Sequence, residues 1–480
     1  MLDPQMCDRA RLARDPRFDG LFFTGVLSTG VFCRPICPAP APKPVNVVYF
    51  PTAAAAVEAG LRPCLRCRPE SAPGTPAWNG TSATVARALT LIRQGALNDG
   101  NAEALALRLG MGSRQLRRLF RQHVGAGPTA LANVQRVLFA KKLLSETDWP
   151  VTRIAFSCGF GSIRRFNAAF RNTCGHSPTA FRSGLGKPPA SAAGFQCALT
   201  LSYRPPYDWE RMLSFFRARA VPGVEMVDQT TYHRTIRLHD TMGLIHVSRA
   251  KSGHALLLRV ELTESRALMA VVERVRRMFD LDANMEAIRS VLASDEMMAP
   301  VVQELEGLRL AGSWDPFETA VRAVVGQQIS VKAARTVAGR LVSLAGSIVV
   351  DNSMGLTHCF PTAAELGHAD LTNIGMPANR KETLKRMTRA IAEGDIVLAA
   401  DNGLSDFVQR VTRIPGIGQW TAHYIAMRGL GEPDAFPAGD LGIVRALTRD
   451  HSKLPPRQIL KRAECWRPWR AYAATYLWNL

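Results

Sequence analysis

The 480-residue sequence predicts a multidomain, mainly α fold. Three observations predict it. A single core fills roughly 150 residues, so a chain of this length implies three or four domains. Two stretches rich in Pro, Gly and small residues, Ser71 to Asn79 (SAPGTPAWN) and Gly184 to Gly194 (GLGKPPASAAG), read as linkers. Between and after them helical periodicity dominates, and one helical pattern is written twice. The expected parts are residues 1–75, 76–183, a linker 184–194, a small α+β unit 195–285 and an all-α part 286–480.

Sixty Lys and Arg oppose forty Asp and Glu, a net charge of +20 that favours a polyanionic partner over an acidic small substrate. No stretch approaches the run of about 18 apolar residues that spans a bilayer, so no membrane partner is expected. The opening MLDPQMCDRARLARDPRFDG has no apolar core, which argues against a signal or transit peptide and for a cytoplasmic location.

The N-terminal part holds four of the ten cysteines, Cys33, Cys37, Cys64 and Cys67, spaced as C-x3-C, 26 residues, then C-x2-C. Two close pairs separated by a loop suit tetrahedral Zn²⁺, since each short turn can present two thiolates. Coincidental thiol pairs and a purely structural zinc knuckle are the plainer readings. The surrounding TGVFCRPICPAPAPKPVNVVYFPTAAAAVEAGLRPCLRCRPE resembles the N-terminal zinc domain of the Ada family of the alkylation response. That resemblance implies that Cys33 accepts a methyl group from a methylated DNA phosphate. Losing one thiolate charge would then tighten DNA binding by electrostatics.

In the middle part Gly110, Ser113, Leu116, Phe120, Arg121, Gly125, Pro128, Thr129 and Ala130 recur as Gly159, Ser162, Phe166, Phe170, Arg171, Gly175, Pro178, Thr179 and Ala180. In each copy a short apolar helix (Ala102 to Leu109; Val151 to Ser157) meets a glycine, and a Ser opens a second, Arg-bearing helix. This is a duplicated helix-turn-helix. With VQRVLFAKKLLSETDWPVTRIAFSCGFGSIRRFNAAFRNTCGHSPTAFR it resembles the AraC-type regulator domain, which implies two recognition helices, Ser113 to Gln122 and Ser162 to Asn172, in successive major-groove segments. Arg114, Gln115, Arg117, Arg118, Arg164, Arg165 and Asn167 are the candidate DNA contacts, and Leu116, Leu119, Phe166 and Phe170 the candidate core.

The C-terminal part opens with alternating segments at Gln196 to Tyr203 and Ala255 to Thr263, then turns helical, with amphipathic runs at Phe317 to Ala345, Arg380 to Glu393 and Trp420 to Gly429. Arg413 to Met427, RIPGIGQWTAHYIAM, places Gly416 and Gly418 in a turn between helical flanks, where backbone N–H groups can approach a phosphate. Twenty-two residues after Gly418 comes Asp440, in AFPAGDLGIVRAL, which taken alone reads as a helix N-cap. The hairpin followed by Asp, together with YRPPYDWERMLSFFRARAV, FDLDANMEAI, PFETAVRAVVGQQISV and WRPWRAYAATYLW, resembles the helix-hairpin-helix glycosylases, and the AlkA type among them.

That resemblance implies excision of N-alkylated bases such as 3-methyladenine without a cofactor. Asp440 is the expected catalytic carboxylate, Trp420, Tyr424, Phe215 and Trp478 the walls of the pocket for a flipped base, and Gln328 the intercalating wedge, with Ile329 beside it. Trp420 stands where bifunctional members carry a Schiff-base lysine, so a monofunctional enzyme is expected. Gly439 and Leu441 replace the family's Asp and Tyr, which leaves the substrate range open, and no PCHR-type motif of the alkylguanine acceptor occurs.

The expected whole is an all-α helix-hairpin-helix glycosylase domain behind a small α+β domain, a duplicated reader and a small zinc-bound α+β domain. Its partners would be double-stranded, alkylated and promoter DNA, with RNA polymerase as a further candidate and nucleoid association as the place. Rival readings are an Ada-like regulator with a non-catalytic C-terminal half and an RNA-binding zinc protein. The first gives no reason for a carboxylate facing phosphate-rich DNA, and the second does not explain the hairpin-to-Asp spacing.

Overall fold

The computed structural model describes residues 2–74, 83–98, 101–185, 196–349, 354–448 and 455–480. Most of the two linkers expected from the sequence, 75–79 and 186–194, lies outside them. The chain forms two compact units: residues 1–205 with 250–273 and 281–284, and residues 206–249 with 274–280 and 285–480. The segment expected as one α+β domain, 195–285, contributes to both. No helix among the described residues is long and apolar enough to cross a membrane.

In the first unit, helix Pro4–Ala13, capped by Asp3, precedes a four-stranded sheet ordered Val47–Phe50, Phe23–Val26, Val31–Cys33, Arg62–Pro63. The first three strands pair antiparallel and the last pair is parallel. Thr52 caps helix Ala53–Glu58 by accepting from the Ala55 N–H, which leaves four consecutive alanines buried.

The reader follows as helices Ala102–Arg108, Ser113–Val124, Pro128–Glu146, Val151–Ser157, Ile163–Cys174 and Pro178–Ser183, with Ala83–Arg93 before them. The repeated glycines have a conformational cause: Gly125 and Gly175 end the two recognition helices at φ 75° and 78°. A Cβ on Gly125 would also lie 2.8 Å from that of Ala55. Leu116, Phe166 and Phe170 are fully buried as expected, and Leu119 packs half-buried against the core that holds Leu116.

That core is shared: Phe23, Phe32, Ala54 and Leu61 of the zinc part join Leu105, Leu116, Phe120 and Leu131 of the reader. A buried ion pair, Lys141 Nζ to Glu70 Oε2 at 2.6 Å, reinforces the junction. The linking helix Pro128–Glu146 also holds the strand pair Gln196–Ser202 and Ala255–Leu262, since Thr200 N donates to Glu146 and Thr200 O accepts from Lys142.

The second unit sets helix Trp209–Arg219 beside the antiparallel strands Glu225–Val227, Thr231–Leu238 and Thr241–Arg249. The remainder is helical. The amphipathic run Phe317 to Ala345 is two helices, Pro316–Val325 and Val331–Ala345, broken at Gly326 to Ser330, where Gln328 takes φ 56° and Ser330 caps the next helix. Arg234 and Arg322 interleave with Glu225 and Glu318, pairing the buried charges that hold helix to strand.

Candidate metal centre and base-excision pocket

The sheet and its turns bring the four cysteines together. Cys33 ends a strand, and Cys37 follows through a turn in which its N–H donates to Arg34 O. Cys64 leaves the parallel strand with its N–H on Phe32 O, and Cys67 closes the turn before Arg68, at φ 53°. All four Sγ atoms lie within 4.8 Å of one another. Tetrahedral zinc at about 2.3 Å from each sulfur needs sulfurs about 3.8 Å apart, so the cluster fits.

Hydrogen bonds from Cys64 and Cys67 together with burial push the Cys33 thiol up, while Cys33 and Cys67 hold Cys64 down. Four thiols this close cannot ionise together unless a cation lies among them. Arg34 frames the cluster: its N–H donates to Cys67 Sγ at 3.3 Å and its guanidinium pairs with buried Asp19. Cys33 is 8% exposed and Cys37 half-buried.

On the recognition helices Arg114, Gln115, Arg117 and Arg118 are exposed, as are Arg164 and Arg165, while Asn167 is half-buried. Arg117 is already paired with Glu103 at 2.7 Å. The burial of Leu116 and Phe166 turns the basic side chains outward.

In the second unit a cavity of 770 Å³ gathers Phe215, Trp420, Tyr424, Asp440 and Trp478. Asp440 caps helix Leu441–Leu447, with Oδ1 accepting from the N–H groups of Gly442 at 2.9 Å and Ile443 at 3.3 Å. The same Oδ1 accepts from Trp478 Nε1 at 2.8 Å, and Oδ2 from Trp420 Nε1 at 2.9 Å. Asp440 is therefore both the N-cap expected from its position and a lining carboxylate. Gly442 is needed for this closeness, because a Cβ there would lie 2.9 Å from the Trp478 ring.

Trp420 and Tyr424, on helix Gln419–Ile425, stack at 5.3 Å and 16°. Phe215 comes from helix Trp209–Arg219 and has two guanidinium groups against its ring, Arg219 at 4.0 Å and Arg428 at 4.7 Å. In the hairpin, Gly416 has φ 92° and no room for a side chain, since a Cβ would meet Thr383, whereas Gly418 faces open space. Gln328 is exposed at the tip of its loop, and Ile329 lines the cavity.

Three residues here escape a reading of the sequence. Gln327 donates from Nε2 to Gly416 O and Thr421 Oγ1 and ties the Gln328 loop to the hairpin. His423 accepts the Phe436 N–H at 3.1 Å and anchors the segment leading to Asp440. Arg428 lines the cavity one turn beyond Tyr424, a spacing that was the only signal available.

Four families match in series: the metal binding domain of Ada over residues 6–70, a helix-turn-helix domain over 105–184, the AlkA N-terminal domain over 198–315 and the HhH-GPD superfamily base excision DNA repair protein over 321–471. A probable bifunctional transcriptional activator/DNA repair enzyme AlkA of Mycobacterium tuberculosis is 42% identical over 479 residues, covering 99% of this chain and 96% of that protein. The chain belongs to this bifunctional AlkA family. The DNA-3-methyladenine glycosylase 2 of Escherichia coli is 33% identical over 282 residues, 58% of this chain and 96% of its own. The bifunctional transcriptional activator/DNA repair enzyme Ada of the same bacterium is 34% identical over 173 residues, 36% and 47% of the two chains. A solved 3-methyladenine DNA-glycosylase from Archaeoglobus fulgidus shares the fold, with TM-score 0.51 and 24% identity over 58% of this chain and 97% of its own.

The four cysteines fall inside the Ada match and are the ligand set of one Zn²⁺. Trp420, Tyr424 and Asp440 fall inside the HhH-GPD match and Phe215 inside the AlkA match, while Trp478 lies beyond both.

Proposed function

We infer that this protein repairs and senses DNA alkylation: a monofunctional glycosylase excises N-alkylated bases such as 3-methyladenine, and Cys33 takes methyl groups from DNA phosphotriesters, which controls DNA binding and transcription. The observation that carries the first activity is Asp440, held by two indole N–H groups at an aromatic-walled cavity just beyond the hairpin. An alkylated purine such as 3-methyladenine is cationic in DNA, so its bond to C1′ breaks with little protonation. The remaining task is to stabilise positive charge on the sugar, and a carboxylate that accepts four hydrogen bonds at the cavity wall is suited to it.

Gly416 and Gly418 would receive the DNA backbone, and Gln328 would fill the gap left by the flipped nucleotide. Trp420 has no amine, so no Schiff base forms and strand cleavage is not expected.

Cys33, Cys37, Cys64 and Cys67 would hold the zinc, which would keep them as thiolates at neutral pH. The Cys33 sulfur attacks the methyl carbon, an S–C bond forms as the C–O bond breaks, and the phosphate leaves as a diester anion. Arg114, Arg117, Arg118, Arg164 and Arg165 would carry the reader's contacts to double-stranded and promoter DNA. Domain bounds at 1–75, 76–183, 195–285 and 286–480, the linker 184–194, a cytoplasmic place near the nucleoid and RNA polymerase as a partner complete the proposal.

The test is release of 3-methyladenine from methylated duplex DNA. Asp440→Asn should slow it about 10²–10³-fold, the scale of losing one preorganised electrostatic group. Equal release by both proteins would remove Asp440 from catalysis, and none by wild type would favour a regulator without an enzyme.

A further inference from the structure

The cavity contains a charge that the hydrolysis above does not use. Arg428 lies on the π-helical turn Ala426–Leu430 that ends the hairpin's second helix, and it is 5% exposed. Its Nη1 donates to Ala311 O at 2.7 Å, and its guanidinium carbon stands 4.7 Å from the centre of the Phe215 ring and 5.2 Å from that of Trp478. Its Nε is buried and makes no hydrogen bond. Among the described residues no carboxylate acts on it: burial, with Arg219 nearby, draws its pKa down to about 10 and Tyr424 opposes this. Arg428 thus remains charged at neutral pH with no carboxylate partner, whereas the charges of Arg234 and Arg322 are shared with Glu225 and Glu318.

A buried cation without a carboxylate partner is screened less than an exposed one. It occupies the attraction that Phe215 and Trp478 would offer to a positive ring, and it repels a second positive charge. The departing base feels the opposite sign. When C1′–N breaks, the electron pair leaves with the base and water adds to C1′; the proton that water gives up passes to a base that departs as an anion, or to solvent when the base departs neutral. A cationic base is neutral at the moment of departure, whereas a neutral base is anionic until that proton arrives, and a nearby guanidinium lowers the energy of the anion.

We propose that Arg428 tunes the charge preference of the pocket, narrowing its advantage for bases that arrive as cations and assisting those that arrive neutral and leave as anions. This rests on the cavity being the base pocket. The measurement is single-turnover release of 7-methylguanine, a cationic base, and of hypoxanthine, a neutral one, from otherwise identical duplexes. Arg428→Met should raise the ratio of 7-methylguanine to hypoxanthine release by about tenfold or more, while Arg428→Lys keeps the ratio near that of wild type. A ratio unmoved in Arg428→Met, whether both rates persist or fall together, overturns the proposal. Should Arg428→Met fail to fold by near-ultraviolet circular dichroism, Arg428→Gln is read against the same two outcomes. Release of neither base by wild type would instead overturn the reading of the cavity.

Discussion

Asp440 accepts from both indoles of the cavity, so Trp420 and Trp478 hold it with their N–H groups while their rings line the wall. Trp420→Phe keeps a ring for stacking and removes one donor. Losing a hydrogen bond to a charged group costs about 1.5–3 kcal/mol, so the single-turnover rate constant should fall about tenfold or more with little change in substrate affinity. A weakened affinity at unchanged rate would show that the ring, not the N–H, is what matters. The sequence alone showed Asp440 as a helix N-cap, which it is, and only the resemblance to the helix-hairpin-helix glycosylases pointed to a further role. Arg428 was not legible, because an arginine after an aromatic helix ordinarily reads as solvated, and only the approach of Phe215 from a distant helix buries it.

Among the elements, the hairpin's second helix, Gln419–Ile425, has the most to position. It carries Trp420 and Tyr424 toward the cavity and uses His423 to hold the Phe436 N–H. Because that donor is a peptide N–H, His423 Nδ1 must be unprotonated. Burial, with Arg470 nearby, lowers the His423 pKa from 6.5 to about 4. The folded protein therefore resists a proton that the unfolded chain accepts, so the contribution is complete above pH 6.5 and is lost as the pH falls toward 4. Urea midpoints should fall over that window more steeply for wild type than for His423→Gln, and parallel curves would exclude His423 as the cause. Helix periodicity made this helix legible. It did not reveal the break at Gly326 to Ser330, because apolar spacing runs through the loop, where Gln328 turns left-handed and Ser330 is extended.

At the scale of the whole molecule, the zinc part and the reader are built as one body: they share a core, and Glu70 meets Lys141 inside it. The Pro- and Gly-containing stretch after Glu70 suggested independent parts, because residue type reports local stiffness and not which faces meet across it. Lys141→Met keeps the apolar stem and strands a buried carboxylate, so the unfolding free energy should drop by about 3 kcal/mol in urea titrations. A loss below about 1 kcal/mol would mean that the pair behaves as an exposed one. The proposed function requires one chain to carry two separable repair reactions, at Cys33 and at Asp440. The direct test treats DNA carrying both methyl phosphotriesters and 3-methyladenine with wild type, Cys33→Ser and Asp440→Asn, measuring released base by chromatography and methyl on the protein by mass spectrometry. Wild type should show both signals, Cys33→Ser only the released base, and Asp440→Asn only the methylated protein. Loss of both signals in either folded variant, or retention of methyl transfer by Cys33→Ser, would contradict it.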